Sequence, residues 1–329
     1  MTARAIRTRA LSKRYGRTLA LDALDLDVRP GEVYGYLGPN GAGKTTTIRL
    51  LLGLHRPSGG SAELFGHDAW SDPVAAHRRV AFVAGEPALW PALTSTETFE
   101  LLASVRGHAG ARAGTDTAYR DALVERFQLD PAKKIRALSK GNRQKVQLIA
   151  ALATRADLLL LDEPTSGLDP LMEMVFRDCV NEARERGQTV FLSSHILSEV
   201  EALCNRVGIL RQGKLVDQGT LHELRHLAAQ TVEVTFSGPA PAMPALPGVR
   251  VQCPGPSALR FEVTGPVGPL IAALAASAGA HPIETLISRE PSLEEIFLHH
   301  YDTSDGPEPQ HAGAATSAPA QKSRTGGER

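Results

Sequence analysis

The apolar positions of this chain change their period several times, and each change marks a new element. Short β-like pieces come first, at Ala5–Thr8, Leu19–Asp22 and Leu24–Val28. The last alternates with period two until Pro30-Gly31 turns the chain. A β-branched and aromatic run, Glu32–Leu37, then feeds a glycine-rich loop, and Thr46–Leu52 continues as a helix. Pro57-Ser58-Gly59-Gly60 predicts a break, Ala62–Gly66 a short strand and Val80–Val83 a buried one. From Pro87 to Arg155 the period becomes helical. Thr94-Ser95-Thr96-Glu97 resembles a capped helix start, and Thr96–Arg106 and Asp116–Phe127 carry apolar residues at helical spacing. Core-strand character returns at Leu158–Leu161, Thr189–Leu192 and Val207–Leu210, with helices predicted over Met172–Arg186 and Ile196–Cys204.

Strands alternating with helices predict an α/β fold around a parallel sheet, interrupted by a helical insertion. After about Ala229 the texture changes: Thr231–Phe236 and Leu259–Val263 alternate cleanly around a Pro/Gly-rich stretch, so 231–301 reads as a small α+β unit. Residues 302–329, rich in Ala, Gly, Pro, Ser and Thr, read as a disordered tail. The longest apolar runs (near Leu148–Ala153, Leu158–Leu161 and Leu270–Ala276) fall short of the roughly 20 residues that a membrane-crossing helix needs. Met1–Arg7 has no apolar core of a signal peptide. If the protein works at a membrane, another chain is expected to cross it.

Charge narrows the partners. Lys+Arg and Asp+Glu both number 36 among the 329 residues, so the net charge is zero and no basic field advertises nucleic acid. Cys179, Cys204 and Cys253 form no C-x-x-C pair and read as reduced thiols of a cytosolic protein.

The chemistry sits where the patterns change. Gly38-Pro39-Asn40-Gly41-Ala42-Gly43-Lys44-Thr45 is a complete G-x-x-x-x-G-K-[ST] loop between a strand and a helix. Its backbone N–H groups and the following helix N-terminus suit phosphate oxygens, Lys44 adds a full charge, and the Thr45 hydroxyl can ligate Mg²⁺. Leu158–Leu161 is an apolar strand ending in Asp162-Glu163, which delivers two carboxylates to the sheet edge where α/β ligands sit. Asp162 suits a Mg²⁺ shell, and Glu163 suits deprotonation of an attacking water. Leu138-Ser139-Lys140-Gly141-Asn142 precedes a helix running from Arg143 towards Thr154. Read alone, it is a helix cap or a second anion site.

Together these residues resemble the ATP-binding subunits of ATP-binding cassette (ABC) transporters, most closely drug- and polysaccharide-type exporters with an ABC-2 permease. The resemblance covers about 4–228. It implies a P-loop NTPase with an N-terminal antiparallel β subdomain, a helical subdomain over about 87–155 and, beyond it, the 231–301 α+β unit. It also implies ATP and Mg²⁺ held by the loop from Gly38 to Thr45 with Thr46. Leu138–Asn142 stands where the family has its signature, so Ser139, Gly141 and Asn142 would hold the ATP of a second copy. Ser166-Gly167-Leu168-Asp169 resembles the loop that crosses the dimer interface, although Asp169 also suits a helix cap. His195, after Val190–Leu192, matches the γ-phosphate histidine. Tyr15 matches the aromatic residue that stacks on adenine, against the alternative of a core aromatic.

Two positions depart from the family. Gly85, in Val83-Ala84-Gly85-Glu86-Pro87, stands where a glutamine usually reaches Mg²⁺, and water or Glu86 is expected to fill the gap. Lys140 and Asn142 replace the usual Gly and Gln, with Lys140 expected to point to solvent, against the alternative of adding a charge near the γ-phosphate.

The resemblance implies the ATPase motor of an exporter. It would be a head-to-tail homodimer, peripheral on the cytosolic membrane face, with 87–135 docked on a separate permease. Trp90 and Leu93 are candidate contacts there, against a core role for both. A second class, ABC ATPases acting on ribosomes or chromosomes, fits less well. The chain has one cassette, no sustained heptad and no basic surface. A small-molecule P-loop kinase would lack the Ser139–Asn142 and His195 elements.

Overall fold

The computed structural model describes residues 4–108, 115–227, 230–277, 281–289 and 292–302. The chain opens with β1 (Ile6–Tyr15), β2 (Thr18–Leu24) and β3 (Asp27–Val28). The strand expected over Leu24–Val28 is therefore split. Asp25 leaves the ladder to accept the Ala10 N–H, and only Asp27 and Val28 pair again with β1. Then come β4 (Val33–Leu37), α1 (Lys44–Leu51), β5 (Gly59–Leu64) and β6 (His67–Asp68). Gly59 and Gly60 belong to β5 rather than to a break; Gly59 pairs with Ser12 of β1, and Gly60 falls at the register shift between Arg9 and Ser12. These strands other than β4 form the antiparallel sheet β2-β1-β5-β6, with β3 paired to β1.

Next are α2 (Pro73–His77), β7 (Val80–Val83), α3 (Ser95–His108), α4 (Thr117–Arg126) and α5 (Lys140–Leu152). Thr94 and Glu97 form the expected reciprocal cap at the start of α3. α5 begins at Lys140, earlier than the Arg143 start expected, because the Ser139 side chain caps it by accepting from Asn142 N at 3.2 Å. The remaining core elements are β8 (Leu158–Asp162), α6 (Pro170–Glu185), β9 (Thr189–Ser194), α7 (Leu197–Leu203), β10 (Arg206–Arg211), β11 (Lys214–Thr220) and α8 (Leu221–Leu227).

Among the described residues these build a six-stranded sheet in the order β11-β10-β4-β9-β8-β7, parallel throughout except for the β10–β11 hairpin. Every residue of β4, β8 and β9 is buried, which explains the apolar runs at the centre of each. Two cores flank this sheet. One holds α5, α6 and α7 against β8 and β9 through residues such as Leu148, Phe176 and Val200. The other joins α1 and the antiparallel sheet through Tyr34, Tyr36, Ile48 and Phe191.

The C-terminal part contains β12 (Gln230–Phe236), β13 (Val249–Gly255), β14 (Ala258–Val263), α9 (Gly268–Ser277), β15 (Ile283–Arg289) and α10 (Leu293–Asp302). Its antiparallel sheet, β13-β14-β12-β15, packs Val232, Val234, Leu259 and Phe261 against Leu270 and Leu274 of α9. α10 leaves this small core and packs on α7 and α8. Leu293 and Ile296 join the main core, and Leu293 N donates to Glu201 at 2.8 Å. Of the expected tail, only Asp302 falls in an element, and 303–329 lie outside the described residues. No helix among the described residues is long and apolar enough to cross a membrane.

Candidate active site

The C-terminal ends of β4, β8 and β9 open on one edge, and three loops follow from them. The β4 loop, from Gly38 to Gly43, carries positive φ at Gly41 (82°) and Gly43 (115°), which bends it back over the start of α1. Lys44 is the first residue of α1 and is only 5 % exposed. Its Nζ donates to Gly38 O at 2.6 Å and Pro39 O at 3.2 Å, so the ammonium sits inside the curl of its own loop. Burial pushes its pKa below the ordinary lysine range, and Glu163 and Asp162 pull it partly back. Thr45 is exposed and Thr46 half-buried at the same helix end.

β8 delivers Asp162, buried, and Glu163, which takes a left-handed backbone (φ 45°). That turn separates the two acids: Asp162 accepts from the Ser193 hydroxyl, while Glu163 Oε1 lies 3.7 Å from Lys44 Nζ. β9 delivers His195, whose Nδ1 is 3.2 Å from the same Glu163 oxygen. Lys44, Glu163 and His195 are thus brought together by three neighbouring strands. Thr45 and Asp162 are hard oxygen donors of the type Mg²⁺ takes. Among the described residues no group of three His, Cys, Asp or Glu side chains is placed to hold a metal ion.

The second group lies apart. Ser139 and Lys140 are exposed at the start of α5, and Gly141 and Asn142 are half-buried. A Cβ on Gly141 would sit 2.2 Å from Gly167 O, so only glycine lets the 166–169 loop lie on this helix start. Lys140 is exposed at the helix start. Its Nζ donates to Ser166 Oγ at 3.1 Å. Asp169 caps α6 by accepting from Met172 N. No hydrogen bond or ion pair among the described residues joins Ser139, Gly141 or Asn142 to the phosphate loop.

The remaining expectations scatter. Tyr15 is 40 % exposed at the end of β1, bonded to His55 with Lys13 over its ring, so it is no core aromatic. Gly85 lies against the carboxylate strand, where an added Cβ would be 3.2 Å from Asp162 O, and Glu86 is exposed. Trp90 is 45 % exposed and lines a groove of about 490 Å³, while Leu93 is half-buried.

Sequence reasoning missed three supporting side chains. Gln144 Nε2 donates to Pro164 O at 3.0 Å and holds the turn after Glu163. Gln147 Oε1 accepts from Ala84 N at 3.2 Å. Glu199, buried in α7, accepts from Ser194 Oγ at 2.8 Å, and burial raises its pKa. An acid on the apolar face of a short helix, just past Ser193-Ser194-His195, was the signal available for Glu199.

Residues 21–166 match the protein family described as ABC transporter. The chain is 40% identical, over 68% of its length and 67% of the relative's, to the daunorubicin/doxorubicin resistance ATP-binding protein DrrA of Streptomyces peucetius. It is 32% identical to the Nod factor export ATP-binding protein I of Ralstonia nicotianae, covering 88% of this chain and 91% of the relative. A solved ATP-binding subunit of an ABC transporter superposes with a TM-score of 0.62 at 31% identity, over 67% of this chain and 92% of that one.

Proposed function

This chain belongs to the ABC transporter family as one of its ATP-binding proteins, and from that premise we propose that it is the ATP-hydrolysing motor of an exporter, working on a separate transmembrane permease. The observation that carries the reading is the meeting of Lys44, Glu163 and His195 at one sheet edge. ATP phosphates lie in the curl of the Gly38–Thr46 loop, where Lys44 exchanges its carbonyl partners for phosphate oxygens. Tyr15 faces the adenine. Thr45 and Asp162 would hold Mg²⁺, which would neutralise charge on the phosphates. Glu163 takes the proton of the attacking water. His195, oriented through its Nδ1 by Glu163, offers its other nitrogen to the γ-phosphate.

Residues 4–228 form the ATP-binding domain, with 87–155 as its helical part and 231–301 as an accessory unit. Two copies pair head to tail, so that Ser139, Gly141 and Asn142 of one close the ATP site of the other. The Trp90 groove faces the permease and keeps the protein peripheral on the cytosolic membrane face.

The test is Glu163→Gln in the full chain. Turnover should fall at least about a hundredfold while ATP binding persists, with an ATP-trapped dimer on size exclusion. An integral-membrane chain should co-purify from solubilised membranes. Recovery of ribosomal or chromosomal partners alone would overturn the reading.

A further inference from the structure

The segment that follows α1 grips the exposed aromatic ring at the end of the β1–β2 hairpin. Tyr15 closes β1 opposite Thr18, and Gly16, with a left-handed φ of 56°, makes the turn that leaves the ring at the hairpin's end. A ring there, 40 % exposed, has little core to hold it. Contacts from residues 55–58 hold it instead. The Tyr15 hydroxyl and His55 Nδ1 share a hydrogen bond, and the two rings meet edge to face with centroids 5.6 Å apart. Lys13 places its Nζ 4.9 Å from the centre of the Tyr15 ring, and Arg56 O accepts from that ammonium at 2.7 Å. Arg14 N donates to Ser58 Oγ at 3.0 Å, which ties the strand itself to the same segment.

The position of His55 joins this support to the phosphate end. It is half-buried in the loop after α1, and Leu54 N fastens that loop to the helix by donating to Arg49 O at 2.9 Å. α1 begins at Lys44, so one helix, about 12 Å long at 1.5 Å per residue, starts with the phosphate lysine and leads to the support of Tyr15. The hairpin also reaches the phosphate loop directly: a Cβ on Gly43 would lie 2.8 Å from Ala20 O of β2. The residues expected at the base and at the phosphates therefore share one framework.

We infer that His55 is a positioning residue for the adenine: it fixes the plane of the Tyr15 ring before nucleotide arrives, while Lys13 covers one face and leaves the other for the base. An exposed side chain immobilised only on binding costs affinity, and one held beforehand does not. The inference rests on the ATP reading above, with Tyr15 at the adenine, and adds the residues that turn a hairpin aromatic into a defined stacking surface. Its effect falls on the base, so base-free phosphates should not feel it.

Calorimetric titration of the full chain with ADP, and with inorganic pyrophosphate as the base-free control, tests this without turnover. Tyr15→Ala should weaken ADP binding about tenfold, the scale of one lost base stack. His55→Ala should weaken it about fivefold, the scale of one lost hydrogen bond. His55→Asn, which keeps a donor and an acceptor near the place of Nδ1, should stay within about twofold of the parent. Pyrophosphate affinity should be the same in every variant. The double variant Tyr15→Ala, His55→Ala should bind ADP no more weakly than Tyr15→Ala alone, because His55 acts through the ring. Additive losses in the double variant, or equal losses of ADP and pyrophosphate in His55→Ala, would overturn the positioning role. Unchanged ADP affinity in His55→Ala beside a loss in Tyr15→Ala would also overturn it, and would leave Tyr15 at the adenine. Unchanged ADP affinity in Tyr15→Ala would remove both.

Discussion

The phosphate-loop end and the Ser139 end of this molecule use the same device, a helix N-terminus, but only one is finished. At the first, Lys44 is buried, its hydrogens are placed on Gly38 and Pro39, and Glu163 and His195 close around it. At the second, Ser139 is exposed and its hydroxyl is spent on capping its own helix. The nearest neighbours there belong to the 166–169 loop rather than to any phosphate group. A site that is charged, buried and internally paired can hold a ligand by itself. A capped, exposed helix end can only add to a ligand brought by something else, which is why the second copy enters the proposal.

The finished end should therefore break first and most. Lys44→Ala removes the one full positive charge inside the loop and should lower turnover about a thousandfold, with weaker binding of a fluorescent ATP analogue. A near-normal rate would mean that the loop does not hold the reacting phosphates.

The other end breaks in a way that separates structure from function. Ser139→Asp keeps a good helix cap, so the melting temperature should hardly move. The added carboxylate repels a phosphate, so ATP-driven dimerisation should vanish and turnover drop about a hundredfold. Ser139→Ala should instead cost about 1 kcal/mol of stability through the lost cap. If Ser139→Asp leaves the dimer intact, the half-site picture is wrong.

Between these extremes lies Gly85, where the finished end is short of a side chain. An added Cβ meets Asp162 O at 3.2 Å, a contact that a small shift relieves, so Gly85→Gln should fold. It should change the Mg²⁺ concentration for half-maximal turnover by about tenfold at most, the scale of an outer ligand. An unchanged rate and metal dependence would count against water or Glu86 standing in at this position.

What the sequence disclosed follows from burial. β4 and β8 read plainly because every residue in them is buried and nearly all are apolar. β11, β13 and β15 did not, because they are edge strands with few buried residues, so their faces carry little of the apolar contrast that marks a core strand. The loop glycines, Lys44 and the Asp162-Glu163 pair were legible because their geometry is local, set by a strand end and the next turn. Gln144, Gln147 and Glu199 were not, because each acts across a tertiary contact with a segment distant in sequence or around a helix turn. The groove was hidden for the same reason. Trp90 stood out as a residue, but the groove it lines emerges only when α3, α5 and β7 come together.

The smallest effect tests how the finished end is braced. Glu199 is 4 % exposed in α7; one oxygen accepts from Ser194, whose own hydroxyl accepts from Ile196 N on the far side of His195, and the Thr165 hydroxyl also favours its ionised form. Across from it on α6 stand Glu173, which opposes its ionisation, and Arg177, which favours it. Burial outweighs the favourable contacts and raises the Glu199 pKa in the folded state. The folded chain then holds this proton more tightly than the unfolded one, so its contribution to stability is whole below the ordinary carboxylate pKa, about 4, and is lost as pH rises through the raised value. The slope from one such group is at most about 1.4 kcal/mol per pH unit. Glu199→Gln keeps an oxygen for Ser194 and cannot ionise, so a series of melting curves across pH should lose that slope while turnover at low pH stays within about twofold of the parent. If the slope survives the substitution, another group titrates there, and Glu199 braces His195 in its charged form.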